Sequence, residues 1–297
     1  MFLFQKIEEL MMTHHDARYA IGEFVMHEQS KLYKYTISEI ADLTYTSKAT
    51  VVRFAKTLGF DGWKEFIRAF VSEVKYQEAH KSDVDVNYPF HEEDSTRTII
   101  ENMKKLQIET IQDTADLMED AVVEQAAEAL EQADHVVIFG LSPNIYLGEL
   151  FRRKLVTIGK HVDIARLGEL GIMSRTLCEK DCAIVISYSG NNASAEPVSH
   201  VKTLLDNGVR VIGITSGGDN YLRQHLDCVL TISSRERLYT KISNYASEES
   251  ISFILNVLFS CYFVQDYQRN CFFKIQTSRT LEQPRNAALR ELQEEDA

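Results

Sequence analysis

TISEIADLTYTSKATVVRFAKTLGFDGWKEF, residues 36–66, holds two short helices and the tight connection between them. Thr36 followed three residues later by Glu39 has the capping-box spacing that opens a helix. Ile37, Ile40 and Ala41 then recur at helical intervals and give that helix one apolar face. The polar break Thr44-Tyr45-Thr46-Ser47 follows, in which Ser47 or Thr46 can cap the next helix. In the second helix Val51, Phe54, Ala55 and Leu58 share one face, leaving Lys48, Thr50, Arg53 and Lys56 outside. Gly59 stands where a glycine just past the C-cap stops a helix.

This is the build of a helix-turn-helix whose second helix could lie in a DNA major groove. Any small helical hairpin also has an apolar and a polar face, so a protein-binding role is the competing reading of the pattern. Charge favours DNA. The chain carries net −12, yet residues 46–70 hold Lys48, Arg53, Lys56, Lys64 and Arg68 against Asp61 and Glu65. Ser47, Lys48, Thr50, Arg53 and Lys56 are the candidate DNA contacts. The run Ser47, Thr50-Val51-Val52-Arg53-Phe54, Leu58-Gly59-Phe60, Gly62, Trp63 and Phe66 resembles the N-terminal signature of the RpiR family of bacterial transcriptional regulators.

A chain of 297 residues, 44 % hydrophobic and 26 % charged, has room for two domains with buried cores. No apolar run reaches the roughly 18 residues needed to span a bilayer. The opening MFLFQKIEELMM has early acidic residues and no basic lead, unlike a secretory signal, so a cytoplasmic location is expected. Five dispersed cysteines argue against a disulfide framework. Cys178 and Cys182 lack the partners of a zinc site, so neither a metal nor another cofactor is expected.

Residues 1–76 are helical in pattern throughout. Residues 77–95 change character: Glu78, Asp83, Asp85, Glu92, Glu93 and Asp94 face one Lys81, with Pro89 interrupting, as in an acidic linker. Helical patterns resume at 96–116 and 120–133. Short β-rich runs then appear at 135–139, 161–165, 182–187, 209–215 and 228–232, separated by helical stretches at 145–158, 168–177, 194–207 and 221–224. Such alternation predicts a parallel sheet flanked by helices, with ligands outside the carboxyl ends of the strands.

Two strand-to-helix loops are candidates for that ligand: residues 139–144 (FGLSPN) and 187–194 (SYSGNNAS). In the second, Ser194 is placed to cap the next helix, with Pro197 in its first turn, so free amides and hydroxyls could hold an anion such as phosphate. A polar turn that merely caps a helix would look similar. Residues 120–265 resemble a SIS (sugar isomerase) domain, the partner of the helix-turn-helix in RpiR regulators, through the first loop, Lys154, Gly159, the SYSG run and the ITS strand end. In the family these loops bind phosphorylated sugars. Ser142 and Asn144 replace a glycine and a serine of the usual first loop. In the second loop either Asn191-Asn192 is an insertion or Asn192 takes the place of a threonine. The resemblance makes Asn144, Ser187, Ser189, Asn192 and Ser194 the candidate effector contacts.

The expected architecture is an all-α helix-turn-helix N-terminal domain (1–76), the linker (77–95) and an α/β SIS-like domain (96–297) that binds a sugar phosphate and dimerises. The expected function is a non-enzymatic transcription regulator of sugar or amino-sugar genes. Its partners would be double-stranded operator DNA, a phosphorylated sugar effector and a second copy of itself in a homodimer or higher oligomer. A sugar-phosphate isomerase with a helical appendage is the alternative, with Glu248 or Glu249 as its base.

Overall fold

The computed structural model describes residues 3–79, 84–233 and 235–282. The helical head comprises α1 (Leu3–Thr13), α2 (Ala17–Glu28), a 3₁₀ turn (Gln29–Lys34), α3 (Ile37–Leu43), α4 (Lys48–Thr57) and α5 (Trp63–Ala79). Its caps are those the sequence indicates. Thr36 N donates to Glu39 Oε2 at 2.7 Å and Glu39 N to Thr36 Oγ1 at 3.2 Å, closing a capping box on α3. These bonds hold the Glu39 carboxyl below its ordinary pKa. Ser47, not Thr46, caps α4 by accepting from Thr50 N at 3.1 Å. At the other end Phe60 N reaches Ala55 O and Gly59 N reaches Lys56 O, with Gly59 at φ +94°. This is a Schellman stop, whose left-handed residue favours glycine.

The head is packed around aromatic rings. Phe54, Phe66 and Phe70 are fully buried, and the Phe66 ring lies 5.0 Å from Trp63, 5.8 Å from Phe54 and 5.7 Å from Phe70. Phe4 of α1 adds a ring 4.9 Å from Phe70, and Glu73 of α5 accepts from Leu3 N and Phe4 N at 2.8 and 3.2 Å. These contacts make α1 part of the head.

Residues 84–95 are irregular and lead into α6 (Thr96–Asp116) and α7 (Asp120–Gln132). The order is then β1 (Val136–Gly140), α8 (Asn144–Val156), β2 (Val162–Ala165), α9 (Leu170–Thr176), β3 (Cys182–Ile186), α10 (Val201–Asp206), β4 (Arg210–Ser216), α11 (Tyr221–His225), β5 (Cys228–Ile232), α12 (Tyr245–Gln265) and α13 (Tyr267–Glu282). The five strands form one parallel sheet in the order β2-β1-β3-β4-β5. Alternate strand residues serve opposite layers. Ile138, Ile184, Ile212 and Leu230 pack with α7, α8 and α12, whereas Val137, Phe139, Val185 and Val211 pack with α9, α10 and α11.

One expected helix is much shorter than its pattern suggests. The helix expected over 194–207 is confined to a 3₁₀ turn at Val198–His200 and the six residues of α10. Ser194 therefore caps no helix. Its amide instead donates to Asn192 Oδ1 at 3.0 Å, an Asx-type closure that turns the backbone away from helical geometry. No helix among the described residues is long and apolar enough to cross a membrane.

Candidate functional site

Two surfaces collect the candidate residues. On the head, the apolar side of α4 is buried through Val51, Phe54 and Ala55, so its opposite side faces solvent. Ser47, Lys48, Arg53 and Lys56 are exposed there and Thr50 is half-buried. Arg53 Nη2 donates to Thr50 Oγ1 at 3.3 Å, and Thr50 Oγ1 lies 2.9 Å from Ser47 Oγ, so three of the candidates form one chain of hydrogen bonds along the helix. Nothing in the sequence singles out Tyr45 in the preceding turn. Its side chain is 97 % exposed and its backbone sits at φ +53°.

The second surface is the carboxyl edge of the sheet. The strand order reverses between β1 and β3, and Gly140 pairs with Ile186, so the loops after these two strands leave the sheet side by side. That is the topological switch point at which open α/β sheets bind ligands. Asn144 is the first residue of α8 and is half-buried. In the second loop Ser187 Oγ accepts from Gly190 N at 3.3 Å, Ser189 is half-buried, and Asn192 and Ser194 are exposed. Gly190 has φ +60°, and a Cβ there would fall 2.3 Å from Thr215 Oγ1, so the loop closes tightly against β4. With α10 beginning only at Val201, the long helix N-terminus expected to face an anion in this loop is not there.

Residues remote in sequence surround the same loop. Tyr188 O accepts from Ser216 N and from Thr215 Oγ1. Its ring points to the segment after β5, where Tyr188 OH donates to Glu236 O at 2.9 Å. Burial pushes the Tyr188 phenol well above its usual pKa. Lys241 Nζ lies 5.2 Å from the centre of that ring and 3.2 Å from Glu236 Oε2. A cation is thus present beside a loop that contains none. The Glu236 carboxylate also accepts from Ser247 N at 3.1 Å and from Ser247 Oγ at 2.8 Å, capping α12. Of the two glutamates weighed as a base, Glu249 accepts from Gln107 Nε2 at 3.3 Å. Glu248 has a raised pKa, first through burial and then through Glu236. Burial also pushes the Cys182 and Cys228 thiols to about 12 and about 11, which suits packed thiols in strands.

Comparison with known proteins matches both parts. Residues 1–77 match the helix-turn-helix domain of the rpiR family, and residues 129–258 match the SIS domain. An uncharacterized HTH-type transcriptional regulator of Clostridium perfringens is 25 % identical over 239 residues, covering 80 % of this chain and 84 % of its own. One from Haemophilus influenzae is 24 % identical over 232 residues, covering 78 % and 80 %. Among solved structures, the Vibrio vulnificus NanR protein complexed with ManNAc-6P superimposes with a TM-score of 0.60 at 18 % identity, over 96 % of this chain and 99 % of that one. At that identity the likeness concerns the fold. With a matched helix-turn-helix head and a matched SIS domain in one polypeptide, the chain belongs to the rpiR family.

Proposed function

We propose that this protein is a transcription regulator that reads operator DNA with α4 and responds to a phosphorylated sugar held at the β1–β3 switch point. The observation that carries the first half is the exposed face of α4. Three cations and two hydroxyls stand on a helix capped at both ends and anchored in an aromatic core. Phosphate contacts need positive charge, and base contacts need side chains held in fixed register. In this reading Lys48, at the start of the helix, and Arg53 contact bases, while Ser47, Thr50 and Lys56 contact the backbone.

Ser187, Ser189 and Asn144 offer hydroxyl and amide groups at the switch point, with Asn192 and Ser194 on the outer rim of the loop. The NanR structure carries a sugar phosphate in the same fold, which supports this guest here. Two copies of the chain would present two α4 helices to half-sites about 10 base pairs apart or a multiple of that. An isomerase would need a free carboxylate near the sugar. Glu248 is the group to watch, and a turnover assay on aldose and ketose phosphates decides it.

The test of DNA reading is an anisotropy titration of the Lys48→Ala, Arg53→Ala, Lys56→Ala triple variant. Affinity should drop at least a hundredfold, since a base-reading pair alone contributes about 1–3 kcal/mol. The slope of log affinity against log salt should shrink by about 0.9 for each DNA phosphate left without its cation. Unchanged binding would overturn the assignment of α4.

A further inference from the structure

The head does not stand clear of the sheet. Helix α1 lies over the carboxyl edge, touching the segments that follow β3, β4 and β5. Gln5 Nε2 donates to Tyr188 OH at 2.7 Å and to Glu236 O at 2.9 Å. Glu8 accepts from Leu238 N at 2.9 Å and from Thr240 Oγ1 at 3.0 Å, and Lys6 Nζ lies 3.8 Å from Asp219. Asn191, from the middle of the β3 loop, joins Lys6, Glu9 and Thr57 around a cavity of 390 Å³ between that loop, α1 and the end of α4. The loop read as the effector site is therefore walled on one side by the DNA-reading domain.

That wall contains an unfinished hydrogen bond. Gln5 is 1 % exposed, and while its NH₂ group serves two acceptors, its carboxamide oxygen has no partner. A second orphan, Ser216 Oγ, is buried on the residue whose amide bonds Tyr188 O. Buried polar atoms are normally satisfied, and each one left alone costs stability. Chemistry limits what could complete Gln5. An amide oxygen accepts only, so its partner must be a donor. A phosphate dianion offers none. A sugar hydroxyl or an acylamino N–H does.

We propose that α1 completes the effector site, with the Gln5 carbonyl accepting a hydrogen bond from the sugar part of the ligand while the serines after β3 hold its phosphate. This rests on the effector reading above and adds a residue from the other domain. It also sets the direction of coupling. A ligand that bonds Gln5 bridges the two domains, so its binding strengthens the seat of α1 and restrains the position of α4, which shares the head's core.

The experiment is calorimetry on the full chain with two kinds of probe, inorganic phosphate and a panel of sugar phosphates that includes N-acetylmannosamine 6-phosphate. It is run on wild type, Gln5→Ala and Gln5→Met, the last keeping the volume of the side chain. Both variants should bind inorganic phosphate as wild type does and lose at least tenfold in affinity for the sugar phosphate that wild type prefers. Hydrogen exchange should slow across residues 3–13 when that sugar phosphate is added to wild type, and not in either variant. If the variants bind the sugar phosphate as tightly as wild type, or α1 gains no protection, α1 is no part of the site and the effector reading survives. If wild type binds no sugar phosphate, the effector reading and this proposal fall together.

Discussion

Helix α4 and the loop after β3 both present hydroxyl-bearing side chains to a proposed ligand, yet they are held in place by opposite means. The five candidates around α4 fall within ten residues, and the helix that displays them is capped by Ser47 and stopped at Gly59. The side chains that fold α4 and those that would read DNA are two faces of one period. The β3 loop has no such internal order. Ser187 and Asn192 make short local closures, and the rest of its shape comes from β4 below, Glu236 beside it and α1 above. A surface built on one period can be changed residue by residue. One built from converging segments should respond as a unit.

The largest expected effect is on the head. Phe66→Ala removes a ring packed against four others, those of Phe54, Phe60, Trp63 and Phe70, and should cost about 3–5 kcal/mol. Trp63, the chain's one tryptophan, lies against that ring, so the fluorescence midpoint in denaturant reports the destabilisation in the head itself. A midpoint that stays put would mean the aromatic cluster does not set the order of α4. Next comes Gly190→Ala. The left-handed φ and the 2.3 Å approach to Thr215 Oγ1 should cost about 1–3 kcal/mol and displace the whole loop. Effector binding by calorimetry should vanish while basal DNA affinity stays, because α4 lies outside the strained segment. Loss of both would show the two surfaces to be less separable than their construction suggests.

The smallest effect is a gain. Tyr45 occupies a left-handed position that disfavours side chains, and with 97 % of it exposed it has little packing to offset that. Tyr45→Gly should stabilise the head by about 0.5 kcal/mol, the strain relieved less the flexibility added to the unfolded chain. The same Trp63 midpoint measures it. If DNA affinity falls at the same time, the tyrosine is kept in that turn for a role beyond the protein's own stability.

Helical and strand periods, together with caps, make most of the architecture legible in the sequence. The capping box at Thr36, the stop at Gly59 and all five strands lie within a residue or two of where pattern puts them. The loop after β3 departs from its pattern at Ser194, because a serine three residues before a proline looks the same in a turn as at a helix start. Asn192 decides the matter by taking Ser194's amide. Gln5 and Lys241 answer to no local rule. Gln5 meets Tyr188 across 183 positions of sequence, and within its own helix it reads as one more polar residue among apolar ones.

Asn87 sets how strongly α1 must hold. Its side-chain oxygen accepts from Arg237 N at 2.8 Å and its carbonyl from Ile242 N at 2.9 Å, stitching the connection to the segment that receives Glu8. Only seven residues, 80–86, separate this stitch from the end of α5 at Ala79, eight steps of chain spanning at most about 28 Å. Two parts joined through so few residues meet at an effective concentration on the order of millimolar. Hydrogen bonds of about 1 kcal/mol each are then enough to keep the head seated, and making or breaking two of them is enough to shift the balance. Lengthening the chain between 79 and 87 should weaken the seat without altering any side chain that forms it.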